Sequence, residues 1–248
     1  MKMGFLRDTI IILQKDLRQY YLKPPTLSWG FITPIAIVAM LVLAASYNWR
    51  IISGVIALAM MWSSTTMSQV AMGIERKARS IEKLLYTPIN LASLVTAKVL
   101  SGLIFGFIGA GIASVIASVL TPIHVIHVLP LIIAIILGSI VFSLIGSIIA
   151  LLASIENSMV VMNILRFTMM FLSGIFIPVF MLPWFLQPVS YVLPLTYVVE
   201  LMRYSFYGIY DVVNPVTSIV ALIIILIFYT VYLWLLLSGR TMEKIIFG

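Results

Sequence analysis

Side chains with the chemistry to act on a substrate are sparse in this sequence, and they do not converge. His124 and His127 form an H-x-x-H, a spacing that can hold two imidazoles on one helical face for a divalent metal. No third ligand and no acid accompany them, so they read as two histidines at a membrane interface. Cysteine is absent, which removes thiolate nucleophiles, thiolate metal centres and disulfides together. No nucleophile, base and acid stand in a catalytic pattern. The chain is read as having no catalytic residues, no metal site and no cofactor of its own.

What remains is polarity set into apolar surroundings, in four places. The run "WSSTTMSQ", residues 62–69, carries Thr65, Thr66 and Gln69. Its hydroxyls either bond to their own helix and serve packing, or line a polar path. Arg166 falls about nine residues into another apolar segment, roughly 14 Å along a helix. An arginine there either snorkels to the interface or faces a water-filled cavity and meets an anion. Glu200 and Arg203, three apart, can pair on one helical face, which lowers the cost of holding charge near lipid. The densest cluster is "MGIERKARSIEKLLYTPI", residues 72–89, with Glu75, Arg76, Lys77, Arg79, Glu82 and Lys83 inside nine positions.

The elements that position these groups follow from composition. A soluble domain is about 25 % charged and about 45–50 % apolar, whereas this 248-residue chain is 9 % charged and 62 % hydrophobic. It is expected to be an all-α integral membrane protein, with residues 1–248 forming a single transmembrane domain. Six segments reach the length of about 20 apolar residues that a span needs: 27–46, 51–72, 89–119, 128–153, 158–180 and 216–238. Runs this long and continuous are helices, because lipid leaves the backbone no other partner outside a closed barrel.

Eleven lysines and arginines fall in the N-terminal segment, the second-to-third loop and the C-terminal tail, against Arg50 and Arg203 on the other side. By the positive-inside rule both termini and residues 72–89 are cytoplasmic. The net charge of +7 is then a matter of orientation, and no nucleic-acid partner is expected. Residues 1–24 read as an amphipathic interfacial helix, with Leu6, Ile10, Leu13, Leu17 and Tyr20 on one stripe and Pro24-Pro25 ending it. Residues 178–215, broken by Pro183, Pro188 and Pro194 and rich in Trp and Tyr, read as short helices dipping back into the outer leaflet. Small residues four apart (Gly102, Gly106, Ala110, Ser114 and Ser118; Gly146, Ala150 and Ser154) form ridges for close helix packing.

The charged stretch has an apolar stripe of its own, Ile74, Ala78, Ile81 and Leu85. Thr87-Pro88 then supplies a cap and a first-turn proline for the third span. It reads as a helix over 74–87 lying on the cytoplasmic face, either against anionic lipid or docked on a cytoplasmic partner.

"IERKARSIEKLLYTPINLASLVTAKVL" resembles the cytoplasmic loop of type-2 ABC exporter membrane subunits, the drug-resistance and lipid-export permeases. That family carries a pattern close to E-R-E-x-G-T-L-E-x-L-L-x-T-P-V. Glu75, Arg76, Glu82, Leu84, Leu85, Thr87 and Pro88 match it; Lys77, Arg79 and Ser80 depart from it. "FLSGIFIPVFMLPWFLQPVSYVLPLTYVVELMR" is similar to the family's fifth-span exit and re-entrant segment, and Asn157 and Asn163 sit where the family often has asparagine.

The resemblance implies two membrane subunits around a central pathway, each resting on a separate ABC-type ATPase, so two ATPase copies in all. ATP and Mg would be bound by that partner; no G-x-x-x-x-G-K-[ST] occurs in this chain. It implies an ATPase-docking coupling helix bearing Glu75, Arg76, Lys77, Arg79, Glu82, Lys83 and Leu85, and a connecting helix over 1–24. The candidate substrate path is Thr65, Thr66, Gln69, Asn163 and Arg166, with Glu200 and Arg203 as an outer pair. The expected location is the inner (plasma) membrane, multi-pass and in contact with its lipids, exporting an amphipathic, lipid-like or drug-like substrate by alternating access. The rival expectation is an ion-coupled secondary transporter, which would need intramembrane carboxylates that the spans almost wholly lack.

Overall fold

The computed structural model describes residues 4–18, 32, 36, 39–40, 49–77, 91–121, 123–154 and 157–237. Among them every regular element is helical: α1 (Phe5–Asp16), α2 (Trp49–Lys77), α3 (Leu91–Leu120), α4 (Val128–Leu152) and α5 (Ser158–Leu172). After these come α6 (Gln187–Val192), α7 (Pro194–Tyr207) and α8 (Pro215–Leu237). By length and composition α2, α3, α4 and α8 can each cross a membrane, and α5 is a shorter apolar helix. The expected span at 27–46, the segment 78–90 and the tail with Arg240 and Lys244 lie outside the described residues.

Helix α2 is the centre. Of its most apolar 18-residue window 94 % of positions are buried, against 17 % for α8, which places one in the middle of the bundle and the other on its rim. It packs against α3, α4 and α7, while α4 also carries α8 and α1 lies on α3. A helix enclosed on all sides has no polar face to spare, so its hydroxyls are satisfied locally. Thr65 Oγ1 donates to the Met61 carbonyl at 2.7 Å and Ser68 Oγ to the Ser64 carbonyl at 3.0 Å. Two more hydroxyls stitch the neighbours together: Ser64 donates to the Gly102 carbonyl of α3 at 2.9 Å, and Ser143 of α4 to the Lys98 carbonyl at 3.1 Å.

That stitching requires close approach. A Cβ on Gly106 would stand 2.1 Å from Ser64 Oγ, and one on Gly146 would stand 2.6 Å from the Thr65 carbonyl oxygen. The expected ridge of α3 holds at Gly102, Gly106 and Ala110 and then leaves the interface: Ser114 is half-buried and Ser118 exposed, while Ala113 and Ala117 are buried. Four residues advance about 400° around the helix, so a strict i+4 row drifts about 40° per step and the face is kept only by an i+3 step. On α4, likewise, Gly146 and Ala150 are buried but Ser154 is exposed past the helix end.

Three boundaries differ from the sequence reading. The fifth helix ends at Leu172 rather than near residue 180, because Gly174 takes a left-handed φ of 77° inside the apolar run. Helix α2 runs on through Lys77, so residues 74–77 extend it rather than open a separate cytoplasmic helix. The N-terminal helix starts at Phe5, after the extended Gly4, rather than at residue 1, and residues 19–24 of the expected helix lie outside the described residues. The proline-broken segment forms a 3-10 turn (Val179–Met181), α6 and α7. Pro188 and Pro194 lie in first turns, where a missing N–H costs little. Gly208, at φ 69°, closes α7 by donating its N–H to the Tyr204 carbonyl.

Helix α1 lies on α3 by its polar side. Asp8, Thr9, Ile12 and Asp16 are buried, whereas Leu6 is 72 % and Ile10 53 % exposed. The apolar stripe read from the sequence is thus split: Leu6 and Ile10 are turned away from the protein, as suits a helix whose outer side meets lipid, whereas Leu13 and Leu17 are half-buried against the bundle and Tyr20 lies outside the described residues.

Gly146→Ala and Gly111→Ala should separate packing from propensity. Alanine gains up to about 1 kcal/mol of helix propensity at either site, but at Gly146 the obstacle is a backbone oxygen that no rotamer change moves. Overpacking there costs about 1–3 kcal/mol, so Gly146→Ala lowers the melting temperature in detergent. Gly111, with nothing within 4 Å of an added Cβ, tolerates the change or gains from it.

Candidate functional site

The polar residues nominated from separate stretches meet in the middle of the bundle. On α5 the buried positions are Met162, Arg166 and Met169, a stripe spaced four and three apart. On α2 Trp62, Thr65, Thr66 and Gln69 are buried with the spacing of one helical face. Arg166 crosses between them: Nε donates to Thr65 Oγ1 at 2.9 Å and Nη2 to Thr66 Oγ1 at 2.8 Å. Nη1 donates to Asn163 Oδ1, one turn back on α5, at 3.0 Å. The guanidinium carbon stands 5.4 Å from the Trp62 ring centroid, within reach of a cation–π contact. Arg166 is 1 % exposed, so it does not snorkel. Gln69 turns aside, its Nε2 donating to the Ser158 carbonyl at 2.8 Å.

Asn163 links this buried cation to the outside. With Val160, Ile164, Phe167, Thr168 and Phe171 it lines a shallow, open groove of about 560 Å³ on the opposite side of α5. Phe167 also meets Trp62 edge-on, with ring centroids 5.7 Å apart.

Charge is concentrated again at the two ends of the bundle. At one end Arg203 Nη1 contacts both Glu200 Oε1 and Asp211 Oδ2 at 2.8 Å, and Arg50 Nη1 reaches Asp211 Oδ2 at 2.8 Å. The Asp211 N–H donates to Glu200 Oε2, and Arg203 Nη2 to the Gly174 carbonyl. This cluster, two charges of each sign, joins the start of α2, helix α7, the loop after it and the turn at Gly174. Sequence reading found Glu200 and Arg203 but missed Arg50 and Asp211. His127 stacks on Tyr204 with ring centroids 4.6 Å apart, and its backbone N–H donates to the Ser205 carbonyl at 3.0 Å.

At the other end two contacts were also missed. Lys98, inside α3, donates from Nζ to Asp16 Oδ2 of α1, both fully buried. Arg76 Nη1 donates to the Ala150 and Ala153 carbonyls at the C-terminal end of α4, where a cation complements the helix dipole. At least this part of the guanidinium points into the protein. Arg79, Glu82, Lys83 and Leu85 lie outside the described residues, and Glu75 and Lys77 are placed as backbone positions in the last turn of α2.

A family model for the ABC-2 type transporter matches residues 7–207, a stretch that holds most of α1, the Arg166 cluster, the Lys98–Asp16 and Arg76 contacts, α7 and every member of the other end cluster but Asp211. The chain belongs to the ABC-2 type transporter family. It is therefore a multi-pass membrane subunit of an ABC transporter, of the kind that normally works with an ABC ATPase. A comparison with curated proteins finds no match. In this ABC-2 subunit, the polar residues of α2 and α5 form one buried site, and the charged residues tie the helix ends together.

The Lys98–Asp16 contact can be tested by a double-mutant cycle. Asp16→Leu alone leaves an ammonium buried and should cost about 3–5 kcal/mol. Adding Lys98→Met replaces the pair by apolar groups and should restore most of the melting temperature. Losses that simply add would show that the two side chains are not coupled.

Proposed function

We propose that the chain is the membrane half of an ATP-driven exporter, working as two copies around a central pathway with two copies of a separate ATPase. ATP and Mg would be held by that partner. Both termini and residues 72–89 would face the cytoplasm, as the eleven basic residues on that side favour. The exposed apolar side of α1 would rest in the membrane interface.

The observation that carries this reading is the continuity of α2. Its 29 residues make a rod of roughly 43 Å at about 1.5 Å per residue. Arg50 at one end enters the outer charge cluster, Thr65 and Thr66 in the middle hold Arg166, and Arg76 at the other end sits on α4. Past Lys77 the chain leads directly into the charged segment that resembles a coupling helix. A push on that segment when the ATPase subunits close would tilt α2 as one body and move both polar sites with it. Substrate, amphipathic and lipid-like or drug-like, would then leave outward by alternating access.

The test is co-purification with an ABC ATPase, encoded beside this chain or supplied by a related exporter, and then reconstitution into lipid vesicles. A stable complex that hydrolyses ATP is expected, and Glu75→Ala with Arg79→Ala should lower assembly or turnover about tenfold or more. Transport driven by an ion gradient, with no ATPase bound, would overturn the proposal in favour of a secondary transporter.

A further inference from the structure

The buried cations of this protein are not treated alike. Lys98 is matched to Asp16, and Arg203 to Glu200 and Asp211. Arg166, as deeply buried, makes its three hydrogen bonds to the neutral oxygens of Thr65, Thr66 and Asn163. Among the described residues no carboxylate pairs with it. Beside it the Trp62 indole N–H, also buried, has no acceptor. The site thus holds more donors and positive charge than the described residues supply acceptors and negative charge. An isolated buried charge is costly, and an anion with several oxygens would offset both deficits.

The surroundings say what kind of anion. Asn163, which accepts from Arg166, also lines the groove on α5. Thr168 donates its hydroxyl to the Ile164 carbonyl at 2.8 Å, so its polar atom is already occupied within the helix. The rest of the lining is hydrocarbon: Ile164 is 63 %, Phe167 45 % and Phe171 57 % exposed. From residue 160 to 171 the groove runs roughly 16 Å along the helix axis, about half the hydrocarbon thickness of a bilayer and so the depth of one leaflet.

We infer that Arg166 and the α5 groove form one binding site for an anionic amphiphile. The acidic headgroup bonds the guanidinium where Asn163 now sits, and the alkyl chain lies along Ile164, Phe167 and Phe171. The Asn163 carboxamide turns aside to expose Nη1. This names a substrate class and rests on the transport reading above; the charge complementarity of Arg166 singles out an acidic lipid as the occupant.

The test uses the purified full chain in phosphatidylcholine nanodiscs. Fluorescent lysophosphatidic acid and lysophosphatidylcholine of the same chain length are compared. The acidic lipid should bind about tenfold more tightly, the worth of one charge-assisted hydrogen-bonded contact. Asn163→Asp, close to isosteric, places a carboxylate on Arg166 from within the chain and should remove the preference while leaving the neutral-headgroup lipid unaffected. Arg166→Gln should do the same, and Asn163→Asp keeps the test decisive if that variant does not fold. Phe167→Ala with Phe171→Ala should weaken both lipids equally.

Equal affinity in the native chain, or a preference that survives both headgroup-site variants, would overturn the inference. Full competition by inorganic phosphate would reduce the site to an anion site without a lipid chain and overturn it also. So would failure of either lipid to bind while two copies crosslink through Ile164→Cys, which assigns the groove to a second copy. ATP-driven transport is measured separately in vesicles with the ATPase. Preference without transport keeps the site and removes the transport reading; transport without preference removes the site alone.

Discussion

A charge held in hydrocarbon has to find its counter-charge or dipole inside the protein, because the surroundings offer neither. That constraint arranges most of this structure. Asp16 and Lys98 fix α1 to α3, Glu200, Arg203, Asp211 and Arg50 fix α7 to the start of α2, and Arg76 fixes the other end of α2 to α4. The apolar side chains cannot do this work. Lipid is as apolar as leucine, so no hydrophobic force draws one helix to another, and close van der Waals contact at small residues has to substitute. Gly102, Gly106 and Gly146 supply that contact, and the serines they face supply the hydrogen bonds that need it.

Much of this could be read from the sequence, and the failures have physical causes. The helices α2, α3, α4 and α8 were legible because long apolar runs admit one backbone solution. The end of α5 was not, since Ser173-Gly174 is only a brief interruption of such a run, and its left-handed glycine leaves no mark in hydropathy. Thr65, Thr66, Asn163 and Arg166 were each nominated, but that they form one cluster depends on how α2 and α5 pack. Lys98 was hidden because one lysine barely dents the mean hydropathy of a 30-residue helix. Asp16 was not singled out, because its partner lies 82 positions away. Arg50 and Asp211 could have been found by counting charge at that end of the bundle, where two arginines ask for two carboxylates.

One member of the charged stretch is held by the protein's own backbone. Arg76 was grouped with residues expected to meet a partner, yet it bonds the carbonyl end of α4, an intramolecular contact that sequence spacing cannot show. The C-terminal end of α4 is completed by an arginine 74 positions earlier in the chain. Arg76 therefore ties the last turn of α2 to the bundle through at least one of its nitrogens.

The buried carboxylates of α1 bear on what α3 can carry. Asp8, Thr9 and Asp16 lie on the covered side of the helix, Leu6 and Ile10 on the exposed side. Lys98 stands in a helix apolar enough to cross a membrane, where a lone lysine costs about 3 kcal/mol. Asp16 offsets that cost in the folded protein, so the packing of α1 is part of what lets α3 hold a lysine.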